Sequence, residues 1–276
     1  MSSSSDEPPS PEHPGVNTDE FFFPGEGVSV LLVHGLTGTP YEMRALGERI
    51  AARGARVHGV RLAGHAEAPE ALGQVGHENW YESVVQGFEE LRRYGDPNVA
   101  VGLSMGALLA ARLAADQREA VAGLVMLAPA FFLPPATTTM LKAVRMLGTV
   151  ADKLYLYNSS GSDIHDAGAR GIHPQCALMP LNAPLKLLEL SALVRPRLAH
   201  ITQPALVIHA RRDHTCPQRK NVNFAMKHLG SAEKRAIVLD ESYHVITVDS
   251  EKERVASEVI EFVDRFRAVP AARAVG

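Results

Sequence analysis

Short runs of consecutive apolar residues alternate with amphipathic stretches along most of the chain. Six runs rich in Val, Leu and Ile are too continuous for strands with one solvent-exposed face, and they predict buried strands at residues 28–33, 56–62, 99–103, 121–127, 205–209 and 235–239. Between them, apolar residues recur at helical spacing over residues 41–53, 78–94, 105–116, 218–229 and 252–267. This alternation predicts an α/β fold with a mostly parallel, doubly wound sheet that binds ligands at the carboxyl ends of its strands.

One segment, residues 131–200, interrupts the alternation. It contains no clear strand, but it has helical apolar patches at residues 140–157 and 185–194, interrupted by prolines. Because it lies between the fourth and fifth predicted strands, we expect it to form a helical cap (lid) insertion over the carboxyl edge of the sheet. The alternative is an ordinary packed helical pair with no role at the site.

The domain organisation follows from these two patterns. Residues 21–130 and 201–270 are predicted to form the α/β core, and residues 131–200 the cap. The first 20 residues are rich in serine and proline and predict a disordered tail, and residues 271–276 predict a short C-terminal tail.

Charge and composition limit the kinds of partner that we expect this chain to bind. The formal net charge is −3 and no cluster of five or more lysines and arginines appears, so we expect no nucleic-acid or anionic-membrane partner and favour a small molecule. The N-terminus lacks the features of a secretory signal, and no apolar run is long enough to span a bilayer. The two cysteines, Cys176 and Cys216, are expected to be free thiols. These observations favour a cytoplasmic protein, which we expect to be a monomer or homodimer.

A serine stands where a predicted strand turns directly into a predicted helix. Residues 99–103 lead into Gly102-Leu103-Ser104-Met105-Gly106, and a run of small apolar residues follows. Glycines two positions on either side let strand and helix approach closely, while the serine is held exposed in a strained backbone conformation. The five-residue pattern alone is weak, but the strand before it and the helix after it are the context that it requires. Ser104 is therefore the candidate nucleophile.

The acid that would support this serine must follow it in the chain, just past the end of a strand. A serine hydroxyl needs a base to take its proton, and a third group must orient that base. In this arrangement the chain order is serine, acid, histidine. Asp213 follows the predicted strand 205–209 and fits best, whereas three other acids fit less well: Asp163, Asp166 and Asp240.

The base is sought among the histidines after Asp213. His244 lies in the loop between the last strand and the final helix, where the base of such a site belongs. His214 adjoins the acid and does not easily fold back onto it, and His228 lies near the end of a helix. The predicted triad is therefore Ser104, Asp213 and His244.

Acyl transfer also needs hydrogen-bond donors for the tetrahedral oxyanion. The loop after the first predicted strand, His34-Gly-Leu-Thr-Gly-Thr-Pro40, has glycines that permit a tight turn, so the backbone N–H groups of Leu36 and Met105 are the natural pair. His34 itself is expected to brace this loop. No zinc-ligand spacing and no glycine-rich phosphate loop occurs, so we expect neither a metal nor a cofactor.

Taken together, these motifs resemble the bacterial carboxylesterases and monoacylglycerol lipases of the α/β-hydrolase superfamily. The resemblance runs from about Phe21 to Phe266, through Phe21-Phe-Phe, His34-Gly-Leu-Thr-Gly38, Leu62-Ala-Gly-His65, Gly102-Leu-Ser-Met-Gly106, Ala210-Arg-Arg-Asp213 and Ser242-Tyr-His-Val-Ile-Thr-Val-Asp249. It implies the α/β-hydrolase fold, the triad and oxyanion donors named above, and hydrolysis of short- to medium-chain esters or monoglycerides without a cofactor. Two positions where the branch usually has glycine carry Ala66 and Ala107 instead.

The expected function is therefore that of a carboxylesterase acting through an acyl-enzyme. A monoacylglycerol lipase, a thioesterase, an acyltransferase or a carbon–carbon hydrolase on the same triad stays open, because all of these use the same three side chains. A dehalogenase or epoxide hydrolase is disfavoured, since those relatives have aspartate at the position of Ser104. A non-catalytic binding protein on the same fold is the alternative from another class.

Overall fold

Strands and helices alternate through most of the described chain, which comprises residues 16–158, 161–174 and 176–267 of a computed structural model. The strands are β1 (Phe21–Phe23), β2 (Ser29–Val33), β3 (Arg56–Val60), β4 (Asn98–Leu103), β5 (Val121–Leu127), β6 (Tyr155–Tyr157), β7 (Leu178–Pro180), β8 (Ala205–Ala210) and β9 (Lys234–Leu239). The α-helices are α1 (Tyr41–Ala52), α2 (Pro69–Gln74), α3 (His77–Arg92), α4 (Met105–Asp116), α5 (Pro135–Arg145), α6 (Ala167–Ile172), α7 (Asn182–Val194), α8 (Gln218–His228) and α9 (Lys252–Asp264).

Seven of these strands form the central sheet, in the spatial order β1-β3-β2-β4-β5-β8-β9. All six predicted strands are present and pair in parallel, so the prediction of a mostly parallel α/β sheet is confirmed. The unpredicted strand β1 pairs antiparallel with β3 at one edge. The Phe21 ring fills space that Gly47 and Gly59 leave open, since a Cβ on Gly59 would lie 2.1 Å from that ring.

Helices cover both faces of the sheet. Alternate residues of β2 point to opposite faces, so Leu31 and Val33 pack with α3 and α4, whereas Val30 and Leu32 pack with α1 and α9. Both faces are therefore buried, which explains why the strands are continuous apolar runs. None of the helices in the described ranges is long and apolar enough to cross a membrane.

The segment 131–200 is mainly helical, but it also contains two short strands. Strands β6 and β7 pair antiparallel, with Leu156 opposite Met179, so the expectation of no strand in this segment was wrong. The helical patch expected over residues 140–157 ends earlier: α5 stops at Arg145, and a 3-10 helix (Gly148–Lys153) follows, in which Gly148 has a φ of +55°. A second 3-10 helix, Arg195–His200, follows α7.

The predicted tails lie largely beyond what the structure describes. Residues 1–15 and 271–276 are outside the described residues, and residues 16–20 have no helix or strand. The division into a core and a cap segment, residues 131–200, stays a prediction.

Candidate active site

The turn between β4 and α4 places Ser104 at the carboxyl edge of the sheet. Ser104 has a φ of 57° and a ψ of −113°, a backbone conformation that residues with a side chain rarely adopt. The turn is possible because both flanking glycines lie against backbone. A Cβ on Gly102 would lie 2.1 Å from the carbonyl oxygen of Gly106, and a Cβ on Gly106 would lie 2.2 Å from that of Val33. The spacing of the two glycines is thus explained by close packing of the strand and the helix.

The structure brings Ser104, His244 and Asp213 into one hydrogen-bonded chain. His244 Nε2 lies 2.8 Å from Ser104 Oγ, and His244 Nδ1 lies 2.7 Å from Asp213 Oδ2. Asp213 follows the end of β8, and His244 lies in the loop between β9 and α9. This geometry has a base within reach of a hydroxyl and an acid that fixes the ring orientation, as general-base activation of a serine requires.

Asp213 is held by four donors inside the protein. Its Oδ1 accepts the backbone N–H groups of Thr215 and Cys216, at 2.8 and 2.6 Å. Its Oδ2 lies 2.9 Å from Nε2 of His209, besides its contact with His244. The Asp213 side chain is fully buried. No role was predicted for His209, yet a histidine inside an otherwise apolar buried strand was a signal of a buried polar partner.

The electrostatics of this chain favour an ionised acid beside a basic histidine. Burial alone raises the pKa of Asp213, but the charges and hydrogen bonds of His244 and His209 outweigh it and hold the pKa well below its usual range. Burial lowers the pKa of His244, but the Asp213 charge and hydrogen bond, with smaller contributions from Asp163 and Glu42, raise it overall. The negative carboxylate therefore stabilises the imidazolium that proton transfer from Ser104 would create.

The loop after β2 lies against Ser104. A Cβ on Gly35 would lie 3.3 Å from the Ser104 Cβ, and Leu36 lines the same cavity as Ser104. Within the described part of the chain, the backbone N–H groups of Leu36 and Met105 donate to no protein acceptor. Met105 opens helix α4, where the first amides have no partner within the helix. Both predicted oxyanion donors are thus next to the serine and available.

His34 braces this loop, in agreement with the expectation from the sequence. Its ring is fully buried; Nδ1 donates to the carbonyl oxygen of Gly35 at 2.9 Å, and Nε2 accepts the backbone N–H of Leu62 at 3.2 Å. Burial lowers the pKa of His34, which favours this neutral form. The histidine therefore joins the loops that follow β2 and β3.

Asp163, from the cap segment, contacts the loops of both the acid and the base. Its carboxylate accepts the backbone N–H groups of His214 and Thr215, at 3.0 and 3.2 Å. Its carbonyl oxygen accepts those of His244 and Val245, at 3.0 and 3.2 Å. Sequence reasoning considered Asp163 only as a poorer alternative to Asp213, and no local pattern indicated this role.

A cavity of about 380 Å³ opens above Ser104, within the range of small-molecule sites. Core and cap segment both line it. The wall is apolar where Ala130, Leu133 and Leu187 contribute, and polar where residues 161–163 and 214–215 contribute. No lysine or arginine is among the described residues of the wall, and the described residues contain no group of three or more His, Cys, Asp or Glu arranged to hold a metal ion.

Comparison with known proteins agrees with the fold. Residues 27–251 match the Hydrolase_4 family, described as "Serine aminopeptidase, S33". This chain belongs to the S33 family. It is 32% identical over 254 residues to a thermostable monoacylglycerol lipase of Bacillus sp. (strain H-257), covering 92% of this chain and 97% of the relative. It is also 29% identical over 252 residues to a carboxylesterase of Bacillus subtilis (strain 168), covering 91% and 98%.

A solved structure of a lipolytic enzyme has a fold similar to that of this S33 protein. It belongs to a study of LipS and LipT, two metagenome-derived lipolytic enzymes, and superposes with a TM-score of 0.82 at 29% identity, covering 90% of this chain and 98% of the other. The α/β-hydrolase fold expected from the sequence motifs is therefore confirmed.

The two alanines that stand where this branch of the superfamily usually has glycine differ in their backbone conformation in this S33 protein. Ala66 has a φ of 57°, which is unfavourable for a residue with a Cβ. Ala107 lies in helix α4, is fully buried and has no such strain. Glycine is thus conformationally favoured only at position 66.

Proposed function

We propose that this protein is a serine hydrolase that cleaves carboxylic esters of short- to medium-chain acids through an acyl-enzyme. The observation that carries the proposal is the continuous chain from Ser104 Oγ through the His244 ring to Asp213, with distances of 2.8 and 2.7 Å. The free amides of Leu36 and Met105 beside it supply the oxyanion donors that acyl transfer requires. The names of the two Bacillus relatives support the same class of reaction.

The mechanism follows from the roles of these groups. Ser104 Oγ attacks the acyl carbon while His244 Nε2 takes the hydroxyl proton, and Asp213 stabilises the resulting imidazolium. The Leu36 and Met105 amides donate to the oxyanion. Collapse of the tetrahedral intermediate breaks the ester bond, and His244 protonates the departing alcohol. A water molecule then attacks the acyl carbon while His244 takes its proton. The bond between the acyl carbon and Ser104 Oγ breaks, His244 returns the proton to Oγ, and the carboxylic acid leaves.

The cavity wall favours neutral esters over anionic acyl donors. The acyl chain would contact the apolar wall formed by Leu133 and Leu187, and a hydroxyl-bearing alcohol would contact the polar wall near Asp163. The Glu42 carboxylate repels a phosphate-bearing carrier, and the described wall contains no lysine or arginine to bind one. This disfavours a thioesterase acting on such carriers. A monoacylglycerol lipase fits the same wall and stays the second candidate.

A chain-length series tests this proposal. Initial rates are measured with p-nitrophenyl esters from acetate to palmitate, with monoacylglycerols and a peptide p-nitroanilide alongside, for the wild type and Ser104→Ala. We expect the wild type to hydrolyse esters fastest at short to medium length, and Ser104→Ala to lose on the order of a million-fold in kcat. Comparable rates for the two proteins would refute the role of Ser104.

A labelling experiment separates the enzyme from a non-catalytic binding protein. A fluorophosphonate should form an adduct on Ser104 of the folded wild type but not on Ser104→Ala. Absence of the adduct on folded protein would favour the binding protein. A cytoplasmic location and a monomeric or homodimeric state stay predictions, and sedimentation analysis tests the latter.

A further inference from the structure

A carboxylate outside the triad lies beneath the loop that supplies Leu36. Glu42, in the first turn of α1, is buried, and its Oε2 accepts the backbone N–H of Gly35 at 3.1 Å. The loop wraps closely around this side chain, since a Cβ on Gly38 would lie 2.3 Å from Glu42 Oε2. Because Gly35 directly precedes Leu36, the position of the Glu42 carboxylate helps to determine where the Leu36 N–H points.

The partner of Glu42 comes from the cap segment. His173 Nε2 lies 3.3 Å from Glu42 Oε1, without the alignment of a good hydrogen bond. The two side chains are only 2% and 6% exposed. On the other side of the ring, His173 Nδ1 lies 2.7 Å from Ser162 Oγ. Ser162 precedes Asp163, which contacts the loops of the acid and the base. One polar chain thus runs from the Gly35 amide to the triad loops.

Burial makes the charge of Glu42 important for the chemistry. Although desolvation raises the pKa of Glu42, its contact with His173 and the Gly35 amide lower it overall, so the carboxylate is ionised near neutral pH. An uncompensated negative charge beside the oxyanion donors would oppose the charge that develops on the substrate oxygen. A group that donates toward Glu42 from the far side reduces this repulsion and also fixes the carboxylate.

We propose that Glu42 and His173 form a positioning pair. Through this pair the cap segment holds the oxyanion loop, residues 34–40, against Ser104, and His173 offsets the negative charge of Glu42. This inference rests on the proposed function, because it concerns the same oxyanion. Neither side chain is a catalytic residue: each acts through the Gly35–Leu36 backbone and through its electrostatic field. The pair is therefore expected to affect the transition state more than substrate binding.

A second histidine–glutamate pair, in which only the histidine is buried, provides a control. His58 Nε2 lies 2.9 Å from Glu20 Oε1; the His58 side chain is 3% exposed and that of Glu20 is 49% exposed. Neither residue lines the cavity above Ser104. Loss of His58 therefore removes a similar contact without touching the oxyanion loop, and it reports the cost of a purely structural defect.

The test compares His173→Leu, His173→Gln, Glu42→Gln, the double variant Glu42→Gln/His173→Leu, and His58→Leu. For each we measure kcat and KM with p-nitrophenyl butyrate and the inhibition constant of a trifluoromethyl ketone, whose adduct with Ser104 carries an oxyanion. We expect His173→Leu to lower kcat about 10- to 100-fold, with KM changed less than about threefold and the inhibitor weakened in parallel with kcat. His173→Gln, whose amide N–H can replace Nε2–H, should recover most of the loss.

The double variant separates charge from packing. Because it removes the uncompensated carboxylate, it should be more active than His173→Leu, and His58→Leu should keep kcat within about twofold of the wild type. The proposal is overturned if His173→Leu keeps its kcat, if kcat and inhibitor affinity do not fall together, or if the double variant loses the product of the two single effects. It is also overturned if His58→Leu loses as much as His173→Leu.

The ester-hydrolase proposal can fail independently of this one. If the wild type hydrolyses no ester, the rate at which a fluorophosphonate labels Ser104 replaces kcat in the comparison, because the phosphonate oxygen occupies the same oxyanion position. The same order of variants supports the pair, and equal labelling rates overturn it. If His173→Leu does not fold, Glu42→Gln is compared with the wild type by inhibitor affinity, and unchanged affinity overturns the pair.

Discussion

Replacement of Asp213 by asparagine should convert the triad to an inactive tautomer. An asparagine side chain offers one acceptor oxygen where aspartate offers two. Because Oδ1 accepts the backbone N–H groups of Thr215 and Cys216, at 2.8 and 2.6 Å, the amide oxygen must take that position. The reverse orientation would place an NH₂ group against two N–H donors. The NH₂ group therefore faces His244 Nδ1, at a position that is now 2.7 Å from it.

The size of the effect follows from this forced orientation. Facing an NH₂ donor, His244 Nδ1 must accept, so the proton of the neutral ring moves to Nε2. An Nε2–H group does not accept the proton of Ser104 Oγ, which lies 2.8 Å away. A comparable change in an unrelated serine triad lowers kcat about 10⁴-fold, which corresponds to about 5 kcal/mol of transition-state stabilisation. We expect a loss of this order here.

Initial rates of p-nitrophenyl butyrate hydrolysis at saturating substrate measure this loss. The matched control is Asp240→Asn, since Asp240 lies only four residues before His244 but is exposed and paired with Arg211 at 2.7 Å. The control should keep kcat within about threefold. The reasoning is refuted if Asp213→Asn stays within about tenfold of the wild type, or if Asp240→Asn loses as much activity.

Other changes test the base His244, the turn between β4 and α4, and the backbone at Ala66. Activity needs neutral His244. Burial lowers the pKa of His244, but Asp213 raises it overall, so kcat/KM should fall as the pH drops through a value above 6.5. An acid limb of the pH profile centred below 6.5 would contradict this. Gly106→Ala places a Cβ 2.2 Å from the Val33 oxygen, and we expect a loss of stability on the order of 3 kcal/mol; an unchanged melting temperature would contradict the packing argument. In urea unfolding, Ala66→Gly relieves a φ of 57° and should stabilise by up to roughly 1 kcal/mol, whereas Ala107→Gly, inside a helix, should destabilise by a similar amount; equal effects would count against the backbone explanation.

The central sheet was predictable because its strands are buried on both faces. Continuous apolar runs such as Val121–Leu127 differ clearly from the helical periodicity around them, and all six predicted strands are present. Strands β1, β6 and β7 have only three residues each, too few to show a period. Their pairing depends on contacts with distant segments, as in the packing of Phe21 against Gly59.

The three groups of the predicted triad lie together because chain order and strand ends constrain them. The surrounding contacts depend on tertiary packing between segments far apart in the chain, as for Glu42 and His173. Even so, a signal was present for some of them. Glu42 shares one face of α1 with the buried residues Leu46 and Ile50, at the i, i+4, i+8 spacing, which is unusual for a charged side chain. Asp163 had no such signal, since it lies in a loop.

Replacing the cap segment by that of a relative is one way to change which acyl chains the enzyme prefers. The hydrogen bonds of Asp163 limit how much of the segment can be replaced. A chimera that replaces all of residues 131–200 also removes the carbonyl and carboxylate that hold the loops of His244 and Asp213. A graft limited to residues 131–153 leaves Asp163 and the β6–β7 pair in place. It still renews part of the cavity wall, since Leu133, Pro134 and Thr137 lie within the grafted residues. The crossover point for recombination is therefore residue 153, well before the end of the insertion.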